Sequence, residues 1–402
     1  MIGRWAFAAW ALVSLGLAGC GGGHSGTPPA PVTPPVPAAA NVVDVHVDAG
    51  PDPVNHPTIN TLYTTVTVCV PGNAAQCQRI DHIQVDTQSY GLRLLAPVLT
   101  LSLPVSKATD GNSLVECTQF ADGYSWGPVA TADIQIAGES AAAVPIQLIG
   151  SANFPTVPAA CSSVGPAENT VAAFGANGIL GIGAFVQDCA GCDINFGAYY
   201  SCTPTACSPI VAALNSQVAN PVAFFAGDNN GVIITLPAVA AVGAATVSGS
   251  LIFGIDTQAD NASGAQTVLT LNSGADFTTV FNGQTLTRSF IDSGSNGIYF
   301  NDSAIPPCPN QAVFYCPPGN LTFTATLTGQ NGTSTTQSFV VANAQSLQNA
   351  NPSFTALPGV AGTFVASSTT FDWGLPFFFG RRVATVISGD ATSAGQGPYV
   401  AF

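Results

Sequence analysis

Apolar and polar residues alternate with a period of two over much of the chain, which is typical of strands buried on one face. In residues 61–70, threonine alternates with apolar residues, and a Pro-Gly turn follows. Similar runs predict strands at residues 79–85, 129–136, 144–149 and 246–253. Only short helices are predicted, for example over residues 206–218. The pattern therefore predicts an all-β protein.

The composition agrees with this prediction and limits the classes of function. The chain has 402 residues, of which 47% are hydrophobic and 7% are charged, with 42 glycines and 30 prolines. This length allows two domains, and few charges with many turn residues suit a turn-rich β fold. The formal net charge is −14. Nucleic acid is not expected as a partner, because no basic surface could neutralise its phosphates.

The first twenty residues have the pattern of an export signal. Arg4 precedes an apolar run over residues 5–17, which is too short for a comfortable membrane span. Leu17-Ala18-Gly19-Cys20 resembles the box at which bacterial lipoproteins are processed, so Cys20 is the predicted lipidation site. An ordinary signal peptide or a membrane anchor is the alternative. Residues 21–41 are the predicted tether, and the lipid is expected to anchor the chain to the outer membrane, facing the periplasm.

The remaining cysteines are even in number, which suits disulfides in an oxidising compartment. Of eleven cysteines, setting Cys20 aside leaves ten (11 − 1 = 10). The predicted pairs are Cys69–Cys77, Cys308–Cys316 and the longer Cys117–Cys161. Three connectivities are open to the cluster of Cys189, Cys192, Cys202 and Cys207. Zinc binding or redox chemistry is the alternative for this cluster, although no βαβ pattern surrounds it.

Two stretches of the chain, with their aspartates 206 positions apart (292 − 86), have nearly the same sequence. One contains Asp86-Thr87-Gln88-Ser89 and the other Asp292-Ser293-Gly294-Ser295, each after an apolar strand. Two carboxyl groups about 3 Å apart cannot both ionise, so they share one proton. Such a pair can activate a water molecule that attacks a carbonyl group. The repeat therefore predicts a paired-carboxylate site.

The two turns resemble the active-site turns of pepsin-like aspartic peptidases, and further segments follow in the order of that family. Residues 177–183 and 371–378 resemble the segments behind the two catalytic turns. Residues 249–256 resemble the strand that opens the second lobe, and residues 120–138 are similar to the flap hairpin. The resemblance covers residues 60–402. As a whole, the chain looks like a member of an uncharacterised family of proteobacterial lipoproteins with this pepsin-related layout.

The resemblance implies a bilobal, pepsin-like all-β fold with a cleft between two related lobes. Residues 42–235 would form the N-terminal lobe and residues 236–402 the C-terminal lobe. The implied activity is that of an aspartic endopeptidase, which acts as a monomer on an extended polypeptide and needs no cofactor or metal.

The resemblance also implies roles for the residues of the two turns. Asp86 and Asp292 would be the catalytic pair. Four hydroxyl residues would support them. Thr87 and Ser293 would brace the turns, and Ser89 and Ser295 would hold the carboxylates.

Two departures from the family pattern leave a second function open. Gln88 stands where the family has glycine, whose missing Cβ lets the backbone approach the carboxylate. The flap tyrosine has no clean counterpart, and the candidates are Phe120, Tyr124 and Trp126. The alternative is a catalytically inactive relative that binds peptides or envelope partners.

Other chemistry is less well supported by the sequence. Residues 123–127 match the Gly-x-Ser-x-Gly pattern of serine hydrolases, but all four histidines precede Ser125, which excludes the required order. His82 is interpreted as a strand residue, because no second histidine or acid at metal-binding spacing supports it. Arg93, which follows the first turn, is predicted to form a structural ion pair.

Overall fold

The structure is a computed structural model, and it describes residues 40–264, 266–364 and 367–402. The predicted signal peptide, Cys20 and all but the last two residues of the predicted tether lie outside these ranges. Within the ranges, no helix has both the length and the apolar character needed to cross a membrane.

Strands dominate the structure. The strands before residue 240 are β1 (Val42–Val47), β2 (Leu62–Val70), β3 (Asn73–Asp86), β4 (Tyr90–Leu95), β5 (Ser113–Gln119), β6 (Tyr124–Ile136), β7 (Glu139–Ile149), β8 (Gly178–Ile182), β9 (Tyr199–Cys202), β10 (Cys207–Pro209) and β11 (Gly231–Thr235). Those after it are β12 (Val247–Phe253), β13 (Val268–Thr270), β14 (Phe277–Phe281), β15 (Gln284–Ile291), β16 (Ile298–Tyr299), β17 (Leu321–Thr328), β18 (Ser334–Val341), β19 (Ala361–Gly362), β20 (Thr370–Trp373), β21 (Arg382–Val386), β22 (Ala391–Thr392), β23 (Gly395–Gln396) and β24 (Tyr399–Ala401). The five runs predicted from alternation correspond to β2, β3, β6, β7 and β12, so the prediction of a mostly β protein is confirmed.

Helices are few and short in the described part of the chain. The α-helices are α1 (Ala159–Ser162), α2 (Val171–Phe174) and α3 (Ala344–Ala350), and the 3-10 turns are Ala96–Val98, Ala190–Asp193, Leu214–Ser216, Pro221–Phe224 and Leu375–Phe377. The helix predicted over residues 206–218 is wrong. β10 pairs with β9 there, because the disulfide Cys202–Cys207 joins the two strands and Pro209 has no N–H for a helix interior.

Two sheets hold most of the strands. Fifteen strands form the larger sheet, in the order β10-β9-β5-β6-β7-β4-β8-β3-β2-β1-β12-β11-β21-β24-β13. Seven form the smaller sheet, in the order β18-β17-β14-β15-β20-β16-β19, and β22 pairs with β23. The larger sheet takes strands from both sides of residue 235, so the predicted lobe boundary does not coincide with a boundary between the sheets.

Each aspartate turn lies at the end of a buried strand that has a parallel partner. β3 ends at Asp86 and runs parallel to β8, while β15 ends one residue before Asp292 and runs parallel to β20. The strands that leave the turns, β4 and β16, pair antiparallel with the same two partners. The chain therefore repeats one local arrangement, with strand, turn and strand enclosing a third strand from later in the sequence.

Aromatic packing fixes β20 in the smaller sheet. The Phe371 ring stacks on Phe300 at 5.1 Å and on Trp373 at 4.5 Å between ring centroids. Trp373 Nε1 donates a hydrogen bond to Thr279 Oγ1 (3.2 Å). Because side chains alternate across a strand, Asp372 points away from this aromatic core.

Five disulfides cross-link the fold. They join Cys69–Cys77, Cys117–Cys161, Cys189–Cys192, Cys202–Cys207 and Cys308–Cys316. The three pairs predicted from spacing are confirmed, and the cluster of four cysteines resolves into two adjacent pairs. These bonds leave no thiolate in that cluster for the zinc alternative.

A buried cluster of charges connects β4, β5 and the loop after β8. Arg93 Nη2 donates to Glu116 Oε1 (2.7 Å) and to Asp188 Oδ2 (2.8 Å), so the predicted ion pair of Arg93 is confirmed. Its Nη1 donates to the Tyr90 carbonyl (2.6 Å). Burial raises the pKa of Asp188 well above its usual range, and the neighbouring Glu116 carboxylate adds to the shift. With one proton on Asp188, the cluster is electrically neutral.

Replacing Arg93 is expected to destabilise the fold strongly. Arg93→Met keeps much of the side-chain volume but leaves the two carboxyls buried without their cation. The free energy of unfolding should fall by about 3–5 kcal/mol, measured by urea denaturation. The matched control is Arg79→Met, because Arg79 is exposed on β3 and donates a hydrogen bond to the Thr65 hydroxyl (3.3 Å) without forming an ion pair in the described ranges. A loss for Arg93→Met no larger than that of the control would contradict this account.

Candidate active site

The two aspartate turns meet at the floor of a cleft with a volume of about 620 Å³. This volume lies within the usual range of about 300–1,000 Å³ for ligand pockets. Asp86 and Asp292 are both at the floor, and residues of the β5–β6 hairpin form part of the wall. The cleft therefore brings together two residues that lie 206 positions apart in the sequence.

Asp86 is held by the backbone of its own turn. Its Oδ1 accepts hydrogen bonds from the N–H groups of Gln88 (2.7 Å) and Ser89 (3.2 Å). The residue is 6% exposed. Because backbone N–H groups are fixed donors, the turn itself sets the orientation of this carboxylate.

Asp292 is held in a similar way by the second turn. Its Oδ1 accepts from the Gly294 N–H (2.8 Å), and its Oδ2 accepts from Ser295 Oγ (2.9 Å). Its own N–H donates to the Trp373 carbonyl of β20 (3.0 Å). The parallel strand behind the turn therefore helps to fix the aspartate.

The two carboxyl groups approach each other beside Gly294. A Cβ built on Gly294 would lie 2.7 Å from Asp86 Cγ and 3.1 Å from Asp292 Oδ1, so this glycine fits against both groups. Burial raises the pKa of Asp292 well above its usual range, and the carboxyls of Asp86 and Asp372 raise it further. The pair therefore retains one proton at pH values where isolated aspartates are ionised.

Hydroxyl side chains brace the two turns against each other. Thr87 Oγ1 donates to the Ile291 carbonyl (3.1 Å) and accepts from the Ser293 N–H (3.0 Å). Ser293 Oγ donates to the Val85 carbonyl (2.8 Å). All these groups are buried, so the relative position of the two aspartates is fixed by hydrogen bonds that water cannot replace.

The serines at the fourth position of the two motifs differ. Ser295 donates to its aspartate, whereas the Ser89 hydroxyl is buried with no hydrogen-bond partner among the described residues. It faces β8, where a Cβ on Gly181 would lie only 2.8 Å from Ser89 Oγ. The expected contact between the Ser89 hydroxyl and Asp86 is therefore not formed, and the Ser89 backbone N–H contacts the carboxylate instead.

Gln88 fits the first turn without backbone strain. Its φ is not in the left-handed region, and its side chain borders the cleft. The carboxyls of Asp86 and Asp292 still approach each other beside Gly294. The matching position in the second turn has no such room, because a Cβ on Gly294 would collide with Asp86. A side chain at this position is therefore tolerated in the first turn but not in the second.

The β5–β6 hairpin presents a phenylalanine to the cleft. Its tip is closed by a hydrogen bond from the Phe120 N–H to the Gly123 carbonyl (2.9 Å), and Phe120 borders the cleft. The other two flap candidates, Tyr124 and Trp126, face a separate apolar cluster around the disulfide Cys117–Cys161. Of the three candidates, Phe120 alone is therefore placed to contact a ligand.

A third carboxyl lies at the floor of the cleft. Asp372 is 1% exposed, borders the cleft, and has an Oδ1 atom without a hydrogen-bond partner in the described ranges. Burial raises its pKa well above the usual range; the Ser295 hydroxyl opposes this shift and Asp86 adds to it. Ser295 therefore stands between two acids, Asp292 and Asp372.

The sequence interpretation missed Asp372 and two further residues of the site. Gln84 Nε2 donates to the Gly294 carbonyl (2.7 Å) and so links β3 to the second turn. Tyr90 borders the cleft, and burial together with nearby acids raises the pKa of its hydroxyl, which therefore stays neutral. The one signal in the sequence for these missed residues was Asp372 itself, an acidic residue in the middle of an aromatic strand.

The interpretation of His82 as a strand residue is confirmed, because His82 lies on β3. Its imidazole lies beside Asp48 and His46, which are 34 and 36 positions earlier in the chain (82 − 48 and 82 − 46). His46 lies on β1 and Asp48 just after it, far from His82 in the sequence, so spacing along the chain could not reveal them.

The fold and the site together define a mostly β protein with two buried aspartates joined at the floor of one cleft. The family described as "Protein of unknown function (DUF3443)" matches residues 37–402. Because this match covers most of the chain, the protein belongs to that family. A search of curated proteins finds no match.

Removing the Thr87 hydroxyl is expected to weaken the brace between the turns. Thr87→Val leaves the buried N–H of Ser293 without its acceptor, which should lower the free energy of unfolding by about 1–3 kcal/mol. Urea denaturation measures this change. Thr324→Val is the control, because Thr324 is exposed on β17. If both variants show the same small decrease in the free energy of unfolding, the brace is not important for stability.

Neutralising Asp372 is expected to stabilise the protein at neutral pH. Its raised pKa means that its contribution to stability is complete below about pH 3.9, the unfolded value, and is lost as the pH rises through the folded value. Asp372→Asn should therefore raise the free energy of unfolding by about 1–3 kcal/mol at pH 7 and change it little at pH 3. Asp193→Asn, at an exposed position, is the control. Equal effects of Asp372→Asn at both pH values would contradict the assignment.

Proposed function

We propose that the chain is an aspartic endopeptidase, which hydrolyses peptide bonds with a water molecule activated by Asp86 and Asp292. The observation that carries this proposal is the approach of the two carboxyl groups to the same point beside Gly294, at the floor of the cleft. Two features support it further: each carboxyl is held by its own turn, and the pKa of Asp292 is raised. This arrangement suits general acid–base chemistry on a bound carbonyl group.

The hydrogen bonds suggest which aspartate acts as the general base and which acts as the general acid. Asp86, whose carboxylate accepts two N–H groups, takes a proton from the water as the water oxygen attacks the peptide carbonyl carbon. Asp292, which retains its proton, gives that proton to the carbonyl oxygen. The tetrahedral intermediate then collapses: the amine leaves with the proton held by Asp86, and Asp292 recovers a proton from a hydroxyl of the intermediate. The pair ends in its starting protonation state.

The walls of the cleft suit an extended polypeptide. An extended segment can add its backbone hydrogen bonds to a strand or hairpin edge, and the β5–β6 hairpin lies beside the aspartates. Aromatic rings from both halves of the chain border the space, including Phe120, Tyr90 and Phe290. The proposed substrate is therefore a peptide with apolar side chains next to the scissile bond.

The proposal includes a bilobal pepsin-like fold. Its support is the repeated arrangement in which β3, β4 and β8 frame Asp86, while β15, β16 and β20 frame Asp292. In this interpretation residues 42–235 and residues 236–402 are the two related lobes, and the active pair lies where their turns meet.

The proposed location is the periplasmic face of the outer membrane, with Cys20 carrying the lipid and the protein acting as a monomer. Five disulfides support an oxidising compartment. Lipid attachment itself rests on the resemblance of residues 17–20 to a lipoprotein processing box.

One observation favours the alternative, a catalytically inactive protein that binds peptides. The residue that the hairpin tip presents to the cleft is Phe120, which has no hydroxyl to donate to a substrate. A lid of this kind can cover a bound peptide without assisting its cleavage.

The experiment uses the chain without residues 1–20 and an unfolded protein substrate at about pH 3–6. Wild type should cleave the substrate and be blocked by an inhibitor that mimics the transition state. Asp86→Asn and Asp292→Asn should each lose at least about 100-fold in rate, the usual lower limit for loss of an acid–base group. The matched control Asp193→Asn should retain activity.

The outcomes separate the two functions. Cleavage that survives Asp292→Asn would reject the catalytic pair. Absence of cleavage with retained peptide binding would support the inactive alternative, and a large gain in rate for Gln88→Gly would then identify Gln88 as the cause.

A further inference from the structure

Two of the four histidines of the chain meet one aspartate outside the proposed active site. His46 lies on β1, Asp48 follows that strand, and His82 lies on β3. The Nε2 atoms of His46 and His82 are 3.4 Å and 3.3 Å from the same oxygen, Oδ2 of Asp48. The three potential ligand atoms all lie within 4.8 Å of one another. These residues are not among those that border the cleft.

A β-bulge aims His82 at this point. β2 lies between β1 and β3, and the register of the β2–β3 pair shifts between Thr64 and Val66. His82, which lies within the shifted segment, has a φ of +48°, a left-handed conformation that residues other than glycine seldom adopt. Bulges re-aim side chains, and strained positions of this kind cluster at binding sites. The Tyr63 ring, 5.2 Å from the His82 ring, forms the adjoining wall.

The two nitrogen–oxygen separations match those of ligands around a tetrahedral metal ion. Zinc lies about 2.0–2.2 Å from nitrogen and oxygen ligands, so two ligands on one tetrahedron are about 3.3–3.6 Å apart. The two Nε2–Oδ2 distances agree with this value and are longer than a usual N–H···O hydrogen bond of about 2.7–3.2 Å.

Neighbouring groups hold the ligands in the orientation that a metal would need. The second oxygen of Asp48, Oδ1, accepts the Gly50 N–H (2.8 Å), which leaves Oδ2 for the histidines. His82 Nδ1 lies 3.5 Å from Asp81 Oδ2, and metal-ligating histidines commonly face a carboxylate with their second nitrogen. In the described part of the chain, Asp48 forms no ion pair with lysine or arginine, so its charge is available to a cation.

We propose that His46, Asp48 and His82 bind one Zn²⁺ ion or a similar first-row divalent cation. Two imidazoles and a carboxylate are ligands that suit such ions, and three protein ligands leave a fourth position open to water. The side chains are only partly buried, with exposed fractions of 32%, 27% and 22%, so the ion can enter from solvent. A bound ion would tie β1 to β3, the strand that ends at Asp86, without contacting the proposed catalytic pair.

Calorimetric titration of the full chain in mild detergent with Zn²⁺ alone tests this site. One Zn²⁺ per chain should bind and raise the Tm, and a chelator should reverse the rise. His46→Ala and His82→Ala should each weaken binding by more than about tenfold, and Asp81→Asn by about tenfold, the lower limit for loss of an outer-shell partner. The matched controls are His56→Ala, which removes an exposed histidine paired with Asp52 (2.7 Å), and His24→Ala; both should bind Zn²⁺ as wild type does.

A second measurement needs no variant and therefore does not depend on the variants folding. X-ray absorption at the zinc edge should show two imidazole ligands at about 2.0–2.1 Å. The proposal is overturned if wild type binds no Zn²⁺, if a folded variant lacking both His46 and His82 binds it equally well, or if the absorption spectrum shows no imidazole. None of these results depends on peptidase activity.

Discussion

The contact between two buried carboxyl groups is the constraint on which the rest of the structure depends. Asp86 and Asp292 would repel each other if both were ionised, so the fold must hold them together and leave one proton between them. It does so with fixed donors from each turn, with the hydrogen bonds of Thr87 and Ser293 between the turns, and with parallel strands behind both. Among these supports, the hydrogen bonds of Thr87 and Ser293 join the two halves of the chain.

Two clusters of buried charged residues border the cleft, and they differ in how their charges are balanced. Around Arg93, two carboxyls surround one cation, and a single proton makes the cluster neutral. At the cleft floor, Asp372 lies with the pair of aspartates, and within the described ranges none of these three acids forms an ion pair with lysine or arginine. The Arg93 cluster contributes rigidity, because removal of Arg93 would leave the carboxyls of Glu116 and Asp188 unpaired. The second keeps protons at the place where the proposed chemistry needs them.

Much of the fold could be predicted because its signals are local. Alternation within ten residues revealed the strands, and short separations revealed pairs such as Cys69–Cys77. The two aspartate turns were found because the chain repeats them. The helix predicted over residues 206–218 failed because a disulfide and a proline, rather than apolar periodicity, decide the structure there.

The rest depends on contacts that no local pattern contains. Asp372 looked like one polar residue in an aromatic strand, and only the pairing of β20 with β15 places it beside the two aspartate turns. His82 lies beside His46 because β2 pairs with both of their strands, so the contact depends on strand pairing between distant segments. The Ser89 hydroxyl was expected to match that of Ser295, but the close approach of β8 turns it away from Asp86. Each difference arises from packing between segments distant in sequence.

The central claim is that Asp86 and Asp292 share one proton in the folded protein. Carbon-13 NMR titration of the aspartate carboxyls tests it most directly, with Asp86→Asn and Asp292→Asn as reference spectra. The account predicts that the pair titrates in two coupled steps, with the upper step well above the usual aspartate range, and that either substitution abolishes the coupling. Two carboxyls that titrate independently, each in the ordinary range near pH 3.9, would contradict it.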